Sequence, residues 1–97
     1  MVVVAYDENG GYWDHVAPPK ADRWGPGIRV PAIIVSPFAK RGFVDHTFYD
    51  TTSILRFLAN RFGLPALAGL QTRDRALAAN GSPPPGDLTN ALDFSAH

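Results

Sequence analysis

The sequence predicts an α/β fold on three observations. Two short β-branched runs read as strands, a capped segment with helical spacing follows them, and glycine- and proline-rich turns divide the pieces. The first run, Val2 to Tyr6, is continuously apolar and breaks at Asp7-Glu8-Asn9-Gly10-Gly11, as a strand buried on both faces does before a turn; with its edge residue it covers about residues 2–7. The second, residues 30–35, is rich in Ile and Val and lies between Gly25-Pro26-Gly27 and Ser36-Pro37. Pro31 falls near its first residue, where a missing N–H is tolerated.

The helix is expected over residues 51–62. Asp50 offers an N-cap, Thr51, Thr52 and Ser53 a polar first turn, and Ile54, Leu55, Leu58 and Phe62 recur on one side until Gly63-Leu64-Pro65. Arg56, Asn60 and Arg61 take the other side, which suits a helix lying on a sheet. A weaker helix is expected over about 73–79, capped by Thr72 and stopped by Asn80-Gly81. Residues 82–97 open with a proline-rich linker and read as a flexible or loosely packed tail. One short closing turn is expected within 87–94, and His97 is expected to fray. The whole chain, 1–97, is a single unit. Two buried strands joined by a long excursion and followed by a helix point to part of a parallel sheet, where ligands gather at the carboxyl ends of strands.

Charge excludes one class of partner. Nine Lys and Arg balance nine Asp and Glu, so the net charge is zero and no basic face suited to a nucleic-acid backbone is expected. The absence of cysteine rules out disulfides and thiolate metal sites. No apolar run reaches the roughly 20 residues of a membrane helix, and the first residues lack the charged leader of a signal peptide. An apolar run starting directly after Met1 leads us to expect further sequence upstream.

Asp7 and Glu8 form the strongest local chemical signal. Adjacent strand residues point to opposite faces, so both can reach one divalent cation only if the strand bends there, and Asn9-Gly10-Gly11 permits the bend. A solvated turn explains the same pair equally well. Asp14 and His15 could ligate, orient a ligand or donate a proton, although structural use is the commoner fate of such a pair in a loop. Asp45-His46 repeats the dipeptide ahead of the helix, where a turn and capping network is favoured. Lys40-Arg41-Gly42 could present cations to an anion or simply be solvated. The loop 12–28 is long for a compact unit, and Tyr12, Trp13 and Trp24 argue that it is ordered, lining a pocket or, more commonly, closing the end of the sheet.

Taken in order, Tyr6-Asp7-Glu8-Asn9-Gly10-Gly11-Tyr12-Trp13-Asp14-His15-Val16, Arg29-Val30-Pro31-Ala32-Ile33-Ile34-Val35-Ser36-Pro37 and Asp45-His46-Thr47-Phe48-Tyr49-Asp50-Thr51-Thr52-Ser53-Ile54-Leu55-Arg56 resemble the C-terminal motifs of one family. That family is the bacterial phospholipase C and acid phosphatase group of the alkaline-phosphatase-like superfamily. Asp87-Leu88-Thr89-Asn90-Ala91-Leu92-Asp93-Phe94 resembles its closing motif. The resemblance implies the C-terminal part of an α/β/α sandwich and hydrolysis of phosphate esters by a metal-activated Ser or Thr nucleophile. It implies that Asp7 and Glu8 are the paired ligands of a divalent metal ion of unknown identity, with Asp14, His15 and His46 as auxiliary residues. The family's nucleophile and remaining ligands precede these motifs, so the chain alone is expected to be inactive and to need an N-terminal portion. The alternative is a non-catalytic metal-binding or interaction module derived from the same family, or a remnant that self-associates through exposed strand edges. Family members are often exported; no compartment follows from these residues.

Overall fold

The computed structural model describes residues 1–95, so His97 and the end of the expected tail lie outside the described residues. Its elements are β1 (Val2–Ala5), β2 (Ala32–Val35), α1 (Thr51–Phe62), α2 (Ala68–Ala79) and a 3-10 turn at Thr89–Ala91. β1 and β2 pair in register from Val2 opposite Val35 to Ala5 opposite Ala32.

The pairing is antiparallel, which corrects the parallel sheet expected from the sequence. A parallel pair needs a crossover, usually a helix laid across the sheet. Residues 6–31 contain no helix; they run out as a loop and return, and a returning chain pairs antiparallel. The strands were also expected to be buried on both faces. Val2, Val4, Ile33 and Val35, which share one face of the pair, instead stand more than half exposed, so no layer covers that face and the described residues do not build an α/β/α sandwich.

α1 has the bounds its sequence predicts. The Asp50 carboxylate accepts from Thr52 N–H at 2.8 Å and from the Thr52 hydroxyl, while the Ser53 hydroxyl accepts from Asp50 N–H at 3.0 Å, closing a reciprocal capping box. Gly63, at φ 63°, ends the helix in the left-handed conformation that favours glycine. Yet Ile54, Leu55, Leu58 and Phe62 all remain exposed, so the stripe expected to lie on a sheet has no sheet beneath it.

α2 starts five residues before its predicted start. Thr72 is not the cap: it lies inside the helix and its hydroxyl donates to Ala68 O at 3.2 Å. The first turn has no side-chain cap, and what extends the helix is packing, because Leu70 and Leu77, two turns apart on one face, are both buried. The predicted stop at Asn80-Gly81 holds, with Gly81 at φ 79°.

Among the described residues the buried hydrophobic side chains are Leu70, Leu77, Leu88, Ala91 and Leu92. Three of these come from the segment expected to be a loosely packed tail. Leu88 accepts φ 75°, a costly conformation for a residue with a Cβ, while its side chain is only 4% exposed. The buried hydrophobic side chains therefore come from α2 and residues 88–92, and none of them from the two strands.

Candidate functional site

β1 ends at Ala5, and the chain bends at Asp7 and Glu8 directly afterwards. Gly10 and Gly11 both have positive φ, Tyr12 N–H donates to Asn9 O at 2.9 Å, and Asn9 Oδ1 accepts from Gly11 N–H at 3.1 Å. Asn9-Gly10-Gly11 therefore forms the turn that carries the pair, and a side chain at Gly10 or Gly11 would be strained whatever the space around it. Asp7 Oδ1 accepts from the N–H of Glu8 at 3.0 Å. Both acidic residues are exposed.

Asp14 is turned to a different partner. Arg29 Nε donates to Asp14 Oδ2 at 2.8 Å and Arg29 Nη2 to Oδ1 at 3.4 Å, with His15 Nδ1 3.4 Å from the same carboxylate. The Arg29 hydrogen bond holds the Asp14 carboxyl below its ordinary range, so it stays ionised and paired. His15 is 83% exposed at its side chain, and His46 is exposed as well. Among the described residues no three His, Cys, Asp or Glu side chains gather closely enough to hold a metal ion. Asp7 and Glu8 supply a carboxylate donor set of the right chemistry for a hard divalent cation, but two donors from this chain do not enclose one.

The loop around the pair is ordered by ionic and turn contacts. Asp22 Oδ1 accepts from the N–H groups of Trp24 and Gly25, and Asp22 faces Arg73 of α2 at 3.8 Å. Arg73 in turn donates to Asp50 at 3.2 Å, which links the loop to the cap of α1. Asn80 adds a hydrogen bond to Ala21 O at 3.3 Å. Tyr12, Trp13 and Trp24 are 84%, 80% and 77% exposed, so within this chain they neither line a pocket nor close the sheet.

The turn expected at Asp45 belongs to a larger polar cluster. Tyr49 donates its hydroxyl to Asp45 Oδ2 at 2.5 Å, and Asn90 Nδ2 bridges Asp45 Oδ1 at 2.8 Å and Thr47 Oγ1 at 2.9 Å. Partial burial alone would raise the Asp45 pKa, but the hydrogen bonds from Tyr49, Thr47 and Asn90 outweigh it and hold the group at about 2. Burial and the neighbouring Asp45 charge push Tyr49 up to about 12. Gly86 N–H donates to Phe48 O at 2.9 Å, and a Cβ at Gly86 would meet Tyr49 Cε1 at 2.8 Å. Asp45-His46-Thr47 and Asp87-Leu88-Thr89 each place an Asp two residues before the N–H it accepts, an Asx turn visible in the sequence. Its closure with Asn90 is not visible there. A cavity of about 460 Å3 lies between α1, α2 and residues 84–87, away from Asp7 and Glu8; the one guanidinium in its wall, Arg56, is already bidentate with Asp74 at 2.6 and 3.0 Å.

Comparison with known proteins gives this arrangement a lineage. The model of the family described as the Phosphoesterase family matches residues 1–65. Phospholipase C A of Mycobacterium tuberculosis is 30% identical over 118 residues, covering 97% of this chain and 21% of the relative. Non-hemolytic phospholipase C of Pseudomonas aeruginosa is 31% identical over 125 residues, covering 97% of this chain and 17% of the relative. Non-specific phospholipase C3 of Arabidopsis thaliana is 39% identical over 64 residues, covering 47% of this chain and 12% of the relative. The chain spans about a fifth of the length of the bacterial relatives it matches. No solved structure matches significantly. A match over residues 1–65, which hold Asp7, Glu8, the glycine turn and the whole Asp45–Pro65 stretch, settles the lineage: the chain belongs to the phosphoesterase family.

Proposed function

We propose that the chain is the C-terminal segment of a metal-dependent phosphoesterase of phospholipase C or acid phosphatase type, with Asp7 and Glu8 as two ligands of its divalent cation. The observation that carries this reading is the bend at Asp7 and Glu8, placed directly after β1 and held by a two-glycine turn, within the stretch that matches the family. The donors that complete the site come from an N-terminal portion, in keeping with the described residues, among which no third ligand gathers beside the pair. The uncovered apolar faces of β1, β2 and α1 suit the same reading, since they are surfaces on which such a portion would pack.

When bound, the metal would act as a Lewis acid on a phosphoryl oxygen and lower the pKa of the attacking group. The part of Asp7 and Glu8 is to hold the cation by their carboxylates. The part of Gly10 and Gly11 is to turn the chain so that the pair faces one way. Asp14, paired with Arg29, braces the two ends of the 12–28 loop; His15, 3.4 Å from the Asp14 carboxylate, and His46 are both exposed, which leaves them available as auxiliary proton donors.

The test exchanges this segment for its counterpart in the Mycobacterium tuberculosis relative and measures turnover of a chromogenic phosphate ester. The chimera should turn over, with Asp7→Asn and Glu8→Gln each lowering the rate at least about 100-fold, as removal of a metal ligand does. The isolated chain should show none. Metal-dependent turnover of p-nitrophenyl phosphate by the isolated chain, lost in Asp7→Ala, would overturn the proposed division of labour. Cation binding by a chimera that never turns over would instead favour a non-catalytic metal-binding module.

A further inference from the structure

Residues 36–44 read Ser-Pro-Phe-Ala-Lys-Arg-Gly-Phe-Val, with two cations, two phenylalanines, a valine and no acidic residue. The sequence leaves Lys40-Arg41 as either an anion contact or a solvated pair. The structure adds a shape to it. At the base of the loop Ala39 bridges Leu92, Lys40 N–H donates to Ala91 O at 2.9 Å, and Asp93 N–H donates to Phe38 O at 2.7 Å. Ala91 and Leu92 are buried, so the base is anchored on the core. Ala39 N–H also donates to Ser36 O at 3.1 Å.

The tip projects from that anchored base. Arg41 and Gly42 make its turn, with Gly42 at φ 59°, and Phe43 and Val44 follow, 46% and 74% exposed. The Lys40 ammonium lies 4.7 Å from the centre of the Phe43 ring. At the side, Phe94, 58% exposed, packs its ring 5.3 Å from that of Phe38. The neighbouring carboxylates are engaged within the fold. Asp45 accepts from Tyr49 and Asn90, and Asp93 Oδ1 accepts from the Ser95 N–H and hydroxyl.

We propose that this loop is a docking surface for an anionic lipid bilayer, with Phe43, Val44 and Phe94 entering the headgroup boundary and Lys40 and Arg41 meeting lipid phosphates. An aromatic and aliphatic tip flanked by cations is the composition that partitions into a membrane interface. Another uncovered apolar surface, the β1–β2 sheet, has no charged residue in either strand and so lacks the means to select an anionic partner. A tip fixed at its base also loses little conformational freedom on binding. The inference deepens the phosphoesterase reading, because a lipid surface would present a phosphate ester to Asp7 and Glu8, but it rests on the loop alone and is tested without turnover.

The experiment is co-sedimentation of the full chain with vesicles of phosphatidylcholine, with and without phosphatidylglycerol, at low and high salt. The chain should pellet with the anionic vesicles and be released by salt. Lys40→Ala with Arg41→Ala should weaken binding about 30-fold, at roughly a factor of five for each cation. Phe43→Ser with Val44→Ser should also weaken it, and Val4→Thr on β1 should leave it unchanged. Equal binding to both vesicle types, no binding, or binding untouched by the loop variants overturns the proposal. Arg41→Glu alone, at the turn, guards against a double variant that misfolds. Concentration-dependent self-association lost in the same loop variants, with no lipid binding, would make the loop a protein contact and equally overturn it. A chimera that turns over soluble ester while the chain ignores vesicles would defeat this inference and leave the proposed function standing.

Discussion

The two halves of the chain differ in where their apolar residues end up. From α2 to Leu92, leucines are buried, the proline-rich segment packs, and Tyr49, Asp45, Asn90 and Gly86 lock the closing turn onto residues 45–49. From Met1 to α1 the sequence is as apolar, but Val2, Val4, Ile33, Val35, Ile54 and Leu58 remain open to solvent. Hydrophobic sequence is thus not the same as a hydrophobic core. The second half completes its own packing, whereas the first presents motifs and surfaces suited to packing against something else, and it is the half that the family match chiefly covers.

The sharpest way to break that contrast is to empty the core on one side and the sheet on the other. Leu77→Ala, at a side chain 1% exposed, should cost about 3 kcal/mol in urea unfolding, within the range for buried leucines. A loss below about 1 kcal/mol would show that the second half is no core at all. Gly86→Ala should cost about 1–3 kcal/mol, because its Cβ would overlap the Tyr49 ring and Thr47, both part of the clasp. An unchanged midpoint would mean that residues 86–92 are not held there.

Titration offers a finer probe of the same clasp. Asp45 is depressed to about 2, so its contribution is full above its unfolded value of about 3.8 and is lost as pH falls from there toward 2. Tyr49 is raised to about 12, so its contribution is full below 10 and is lost as pH rises from 10 to 12. Stability should therefore be flat between those limbs as far as this pair is concerned. Tyr49→Phe should remove the alkaline limb and shrink the acid one, as followed by unfolding midpoints across pH.

The smallest stability effect belongs to the sheet. Val4→Thr, at a side chain 53% exposed, should change stability by less than about 0.5 kcal/mol. The same strand should govern association instead. Gel filtration of the isolated chain should show a concentration-dependent shift, reduced by Val4→Lys, because an uncharged strand with an open edge invites pairing. A monomer at every concentration would sharpen the contrast in another direction, by showing that the open faces are tolerated alone.

Much of this was legible in the residues. The bounds of α1, the breaks at Gly63 and Gly81 and the turn at Asn9-Gly10-Gly11 follow from capping and from the freedom of glycine, which act over a few residues. The Asp7-Glu8 pair and its ordered neighbours were readable for the same reason, and they carried the family. The early start of α2, the antiparallel sense of β1 and β2, the burial of Leu88, Ala91 and Leu92 behind three prolines, and the diversion of Asp14 to Arg29 were not. Each depends on a contact between segments far apart in the chain. Capping, turn chemistry and lineage are written locally, so the sequence alone determined them. Strand direction, the place of the core and which carboxylate meets which cation were decided only by the tertiary structure, because they are set by what the rest of the chain brings alongside.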